Sequence, residues 1–200
     1  MTRPKLTYFD FPGGRGEDCR IALFAAGIDF EDDRVSGKTW AEARATKPYG
    51  KLPVFEVPGK PAIAGSNAIL SLIGRQHDLH PADPFEAARH EALMGAVEDV
   101  RELIGTTSKL EGDEKKKARE ELAEGTLQEW FAALAKEVRG PFVGGDTLNV
   151  ADLKLYMILK FFRSGGLDHV PTTVFDGHPK LVALFDAVNT HPAVTGWYAR

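Results

Sequence analysis

The sequence predicts a small α/β domain followed by an all-helical domain, and three observations carry that reading. Up to Gln76 the apolar pattern changes period repeatedly, alternating short strand-like runs with helical ones. A polar stretch with two prolines and no periodicity, His77-Asp-Leu-His-Pro-Ala-Asp-Pro84, then interrupts the chain. Beyond it, every apolar repeat runs at helical spacing. The domains are therefore placed at residues 1–80 and 85–200.

Lys5–Asp10 (KLTYFD) is a run of strand formers, and Glu17–Ala26 (EDCRIALFAA) is a helix closed by Gly27. Asp29–Val35 alternates like an exposed strand, and Thr39–Lys47 is a short helix after it. Leu52–Val57 and Pro61–Ala64 are two strands around the turn signal Pro58-Gly59. Ser66–Gln76 starts on a good N-cap and reads as a helix. A β-α-β opening followed by β-β-α predicts a four-stranded mixed sheet with helices packed on it. In the second domain Leu93, Val97, Val100 and Ile104 share a helix face, as do Ala118, Leu122, Phe131, Leu134 and Val138. The charged run Gly112–Glu121 is the solvated start of a helix. Asn149–Phe162 is apolar nearly all round, which predicts a helix in the middle of a bundle. Leu181, Leu184, Phe185 and Val188 mark a last amphipathic helix.

Composition narrows the function classes. Hydrophobic residues at 43% and charged residues at 27% supply a sizeable core, and 20 glycines with 12 prolines are too few for a low-complexity chain. A net charge of −4 provides no basic field for nucleic acid or an anionic membrane. One cysteine excludes an internal disulfide framework, a four-cysteine zinc site and a Cys-x-x-Cys redox pair, and it fits a reducing compartment. The polar start Met1-Thr-Arg-Pro-Lys5 leads straight into a strand, and no window reaches about 18 apolar residues, so the expectation is a soluble, cytoplasmic protein. His77 and His80 have a spacing open to metal but no third ligand, so no metal is expected.

An ordered set of motifs resembles the cytosolic glutathione transferases of the sigma-like, tyrosine-using type. Lys5-Leu-Thr-Tyr-Phe9 with Gly14-Arg-Gly-Glu17 and Arg20 is similar to their first strand, loop and helix. Trp40, Pro48–Val57 and Gly65-Ser-Asn-Ala-Ile69 follow in the family's order, then Val97-Glu-Asp-Val100 and Asn149-Val-Ala-Asp-Leu153. The resemblance spans nearly the whole chain, with one extra residue around Pro12–Gly14. It implies a thioredoxin-like α/β N-terminal domain that binds glutathione and an all-α C-terminal helical bundle domain that contributes the electrophile pocket.

The resemblance assigns roles residue by residue. Tyr8 donates a hydrogen bond to the glutathione sulfur, and Arg15 supports the anion or the electrophile. A free thiol with a pKa of about 8.5 is only about 3% thiolate at pH 7. Lowering that pKa by about two units takes about 2.7 kcal/mol, and one hydroxyl hydrogen bond to a charged sulfur supplies roughly 1.5–3 kcal/mol. Leu52, before a cis Pro53, pairs with the cysteinyl unit like a strand partner. Ser66, at a helix N-terminus, receives the α-carboxylate. Trp40, Arg44 and Lys51 hold the glycine carboxylate. Gly65 departs from the family's glutamine and implies weaker glutathione binding or a compensating contact. Asp99 implies a homodimer, reaching the neighbouring subunit's γ-glutamyl ammonium. Phe9, Phe11, Arg101 and Tyr156 line the electrophile pocket, and Phe9 also borders glutathione.

Read without the resemblance, Tyr8 is an ordinary strand aromatic, Arg44 a solvated charge, and Glu98-Asp99 an exposed acidic helix face. Cys19 lies inside the predicted first helix with no histidine beside it, so it reads as a buried structural thiol. Asn149 and Asp152 form a capping pair whose role is stability. The expected function is thiolate attack on a small hydrophobic electrophile, with peroxide reduction and isomerisation starting from the same thiolate. The alternatives are a non-catalytic binding or structural member of the fold and, less compatible with a single cysteine, a thioredoxin-group redox protein.

Overall fold

Four short strands form one mixed sheet because their central members are apolar on both faces. The computed structural model describes residues 3–200; Met1 and Thr2, part of the polar start, lie outside the described residues. β1 (Lys5–Phe9) pairs in parallel with β2 (Glu31–Val35) and antiparallel with β3 (Val54–Glu56), which pairs with β4 (Ile63–Ala64), giving the order β2-β1-β3-β4. Leu6, Thr7 and Tyr8 are all buried, as a strand covered on both faces requires. α1 (Gly14–Ala25) supplies the parallel crossover and α3 (Ser66–Gln76) packs beside it. α2 (Gly37–Ala43) buries no residue and stands at the rim, followed by two single 3₁₀ turns at Arg44–Thr46 and Pro48–Gly50.

The helical part comprises α4 (Pro84–Thr107), α5 (Gly112–Glu124), α6 (Thr126–Glu137), α7 (Val150–Arg163), α8 (Pro179–Thr190) and α9 (Pro192–Tyr198). α7 is the central one: Leu153, Leu155, Tyr156 and Leu159 have no exposed surface, and α1, α4 and α8 all pack against it. Its start is closed by a complete capping box. Asn149 Oδ1 accepts from Ala151 N–H at 3.0 Å, and Asp152 Oδ2 accepts from Asn149 N–H at 2.9 Å. Asp152 Oδ1 also accepts from Val143 N–H at 2.7 Å. Val150 N–H donates to the Leu79 carbonyl at 2.9 Å, which ties the seam to the bundle.

Each strand is shorter than expected, α2 spans Gly37–Ala43 rather than Thr39–Lys47, and three further boundaries differ. α1 begins at Gly14 rather than Glu17, because its first turn is built from glycines that carry no helical pattern. Gly125 divides the region from Gly112 to Glu137 into α5 and α6. α9 follows α8 after a single residue, His191, with Pro192 at its first position. Through α9 the end of the chain returns to its beginning: the Trp197 indole N–H donates to Glu17 Oε1 at 2.7 Å, while Glu17 Oε2 accepts from Arg20 at 3.0 Å. Among the described residues no helix is long and apolar enough to cross a membrane.

Candidate functional site

Tyr8 sits near the end of β1 and is aimed by its neighbours. Arg20, fully buried on α1, donates to the Phe9 carbonyl at 3.2 Å and the Phe11 carbonyl at 3.3 Å, and its Nε binds Asp32 at 2.8 Å. The strand's exit is thereby clamped. The Arg15 backbone N–H donates to Tyr8 Oη at 3.1 Å. That approach requires glycine: a Cβ on Gly16 would lie 2.2 Å from the Tyr8 ring, and one on Gly14, at φ +69°, 2.7 Å from Oη. Burial raises the phenol's pKa above its ordinary value, against the Arg15 N–H and the positive charge of Arg101 and Arg15. Tyr8 is therefore a neutral hydroxyl with its own proton still to donate.

A cleft of about 630 Å³ opens in front of that hydroxyl. At one end α3 begins without a side-chain cap, so its first N–H groups and Ser66 face the cleft. Gly65, at φ +98°, joins α3 to β4, and its N–H donates to the Pro53 carbonyl at 2.9 Å. Leu52 lines the floor, and the Leu52–Pro53 peptide is cis. At the other end Trp40, Arg44 and Lys51 gather, with Arg44 Nε donating to the Gly50 carbonyl at 3.1 Å. From the helical side come Glu98 and Glu102 of α4, and Arg15 Nε binds Glu98 Oε2 at 2.5 Å.

The fold thus brings Tyr8, Phe9, Arg15, Trp40, Arg44, Lys51, Leu52, Gly65 and Ser66 onto one cleft, although they are spread over 59 positions of chain from Tyr8 to Ser66 counted inclusively. Other candidates lie elsewhere. Pro53 is buried behind Leu52. Phe11 is 43% exposed with its ring 5.7 Å from that of Tyr8, beside the cleft rather than in its wall. Arg101 is turned inward, its Nε 3.9 Å from Glu98 Oε1. Asp99 is exposed on α4 and does not line this chain's cleft; Glu98, its neighbour, does.

Tyr156 is a correction. It has no exposed surface, its hydroxyl donates to Asn189 Oδ1 at 2.7 Å, and burial pushes its pKa up to about 12. Its position on the central helix turns it into the bundle, against Phe185, and it does not line the cleft.

Cys19 is fully buried, and burial lifts its thiol well above its ordinary range, so it is no nucleophile. It donates weakly to the Arg15 carbonyl at 3.5 Å and the Ser66 carbonyl at 3.9 Å, bridging the first turns of α1 and α3. His80 packs near His90, with ring centroids 6.2 Å apart, and no group of three metal-ligating side chains occurs among the described residues.

Sequence reasoning missed Gly16, Glu98 and, behind the cleft, Lys154. Lys154 is a fully buried ammonium on α7 that donates to Ser66 Oγ at 2.6 Å. The signal was present: a lysine in mid-helix, flanked by Leu153 and Leu155 in a segment that is mostly apolar.

Two family models match the chain. One described as "Glutathione S-transferase, N-terminal domain" covers residues 4–75, and one described as "Glutathione S-transferase, C-terminal domain" covers residues 98–200. Among curated proteins, hematopoietic prostaglandin D synthase of Gallus gallus is 32% identical over 98% of this chain and 96% of its own length. Glutathione S-transferase 1 of Ascaris suum is 29% identical over 100% of this chain and 97% of its own. Among solved structures, prostaglandin synthase D of Nilaparvata lugens superposes with a TM-score of 0.86 at 27% identity, covering 99% of this chain and 98% of that one.

Proposed function

Because the chain belongs to the glutathione S-transferase family, we propose that its cleft binds glutathione and that Tyr8 holds the bound thiol as a thiolate. The observation that carries this reading is the Tyr8 hydroxyl, fixed by the Arg15 N–H, neutral, and open to the cleft. In this arrangement the peptide's α-carboxylate meets Ser66 and the free N–H groups of α3, its cysteinyl unit lies along Leu52, and its glycine carboxylate reaches Trp40, Arg44 and Lys51. The thiol proton passes to solvent. The sulfur then forms a bond to an electrophilic carbon, whose displaced electron pair leaves with a departing group or is protonated by water.

Residues 1–80 form the glutathione-binding domain in this reading, and 85–200 the domain that supplies the second wall. The electrophile enters beside Phe9, Phe11 and Arg15, where Glu98 and Glu102 make that wall acidic rather than apolar. Gly65 offers only backbone, so glutathione binds more weakly than a glutamine there would allow. The protein acts in the cytoplasm, and two copies pair so that each exposed Asp99 reaches the other's γ-glutamyl ammonium. Tyr49, 86% exposed, and Phe85, 74% exposed, give that partner apolar surface to cover.

The test is a titration with glutathione that follows thiolate absorbance in the ultraviolet, on the natural chain and on Tyr8→Phe. The natural chain produces a thiolate signal near neutral pH. Tyr8→Phe raises the bound thiol's pKa by about two units and lowers kcat by about a hundredfold. Binding without a thiolate signal in the natural chain sinks the enzymatic reading in favour of a binding protein. An unchanged signal in Tyr8→Phe removes only the role given to Tyr8. Sedimentation as a monomer at micromolar concentration removes the role given to Asp99.

A further inference from the structure

Lys154 is a charged side chain with no exposed surface on the most deeply buried helix of the molecule. Buried ammonium groups persist only where carboxylates or strong acceptors surround them. Three do so here. Lys154 Nζ donates to Ser66 Oγ at 2.6 Å, ion-pairs with Glu98 Oε1, and stands 3.6 Å from Asp18 Oδ2. It therefore connects α7 with α1, α3 and α4 at the base of the cleft.

Neutralising Asp18 and Glu98 does not account for the contact with Ser66. A serine hydroxyl has one proton and two lone pairs. With one lone pair taken by Lys154, the Ser66 proton is directed away from the ammonium, and Ser66 lines the cleft at the start of α3. The charge balance points the same way. Within the ion-paired cluster, Lys154, Arg15 and Arg101 meet Asp18 and Glu98, three cations against two carboxylates, while Glu102 on the same cleft wall pairs with none of them. Glu98 stays ionised, since Lys154 and Arg15 outweigh the effect of burial and hold it below its ordinary value. Burial moves Asp18 in the opposite direction, toward its neutral form.

We propose that Lys154 is a positioning residue for the anion subsite at the start of α3: it fixes the Ser66 hydroxyl as a donor to a bound carboxylate and gives that subsite a net positive charge. The proposal rests on glutathione occupying the cleft, so the experiment separates the two. Affinities for glutathione, and for the analogue in which the γ-glutamyl α-carboxylate is replaced by hydrogen, are measured by calorimetry on the natural chain, Lys154→Met and Lys154→Gln. Thermal melts check that each variant is folded.

The natural chain binds glutathione more tightly than the analogue. Lys154→Met weakens glutathione binding by about tenfold to a hundredfold, the range for a hydrogen bond to a charged group, and leaves the analogue's affinity unchanged. In steady state the loss falls on KM for glutathione and not on kcat. Lys154→Gln keeps a donor without the charge and gives an intermediate loss; it also carries the test if Lys154→Met does not fold. Equal losses for both ligands, or no loss for either, overturn the proposal and leave the glutathione reading standing. Full discrimination in Lys154→Gln overturns the role of the charge. A natural chain that does not distinguish the two ligands overturns the placement of glutathione, and the proposal with it.

Discussion

Helices α3 and α7 both begin with a residue suited to hydrogen bonding, yet the two starts are used in opposite ways. At α7, Asn149 and Asp152 absorb the free N–H groups, a third N–H from Val143 joins them, and His90 Nδ1 stands 3.2 Å from Asn149 Oδ1. The start of α3 has no capping side chain, Gly65 precedes it, and its N–H groups face a cleft. One end has its hydrogen bonds completed by the chain and serves packing. The other leaves them open to the cleft, where the proposed ligand's carboxylate would complete them. The difference arises from one position: a short acceptor at Asn149 against a glycine at Gly65.

The largest effect comes from breaking the closed end. Asp152→Ala leaves two buried N–H groups without acceptors and lowers unfolding free energy by about 2–4 kcal/mol in chemical denaturation. The affinity of the folded fraction for glutathione does not change. The same carboxyl gives a pH signature. Burial, outweighing two backbone N–H donors, raises Asp152 from the ordinary 3.8 to about 7. Between those values the folded chain holds a proton that the unfolded chain has released. This group's contribution to stability therefore falls as pH rises through that window and is flat above it. Melting curves across the window show the slope, and Asp152→Asn removes it.

Next is the open end. Ser66→Ala costs about 1–2 kcal/mol of glutathione affinity by calorimetry, with a smaller change in melting because Lys154 keeps its carboxylate partners. If Ser66→Ala instead destabilises as Asp152→Ala does, the contrast between the two ends collapses. Gly65→Gln has the smallest effect. A Cβ there meets nothing within 4 Å, so the cost is the backbone's alone, about 1 kcal/mol of stability at φ +98°. Glutathione binding tightens, as the added amide enters the cleft.

Much of this was legible in the residues. Ser66–Gln76 is a helix with the expected bounds, although Gly65 and not Ser66 is its N-cap, and the mixed sheet follows from the strand order. Nine candidate residues meet at one cleft because each sits in a local motif that sets its own geometry. Tyr156 was misplaced because a helix apolar on all sides does not reveal which side faces a cavity. Lys154 was overlooked because its meaning depends on Ser66, Glu98 and Asp18, contacts made across as many as 136 positions of chain. Periodicity reports burial; it does not report which buried charges meet.

The return of α9 to α1 also sets an order in time. Glu17 Oε1 waits for an indole near the far end of the chain. While the protein is being synthesised, the sheet and its first helix emerge long before Trp197 does. Until the last turn of helix leaves the ribosome, a carboxylate destined for burial must remain hydrated. The helix behind the Tyr8 strand thus depends on a side chain 180 positions further along the chain.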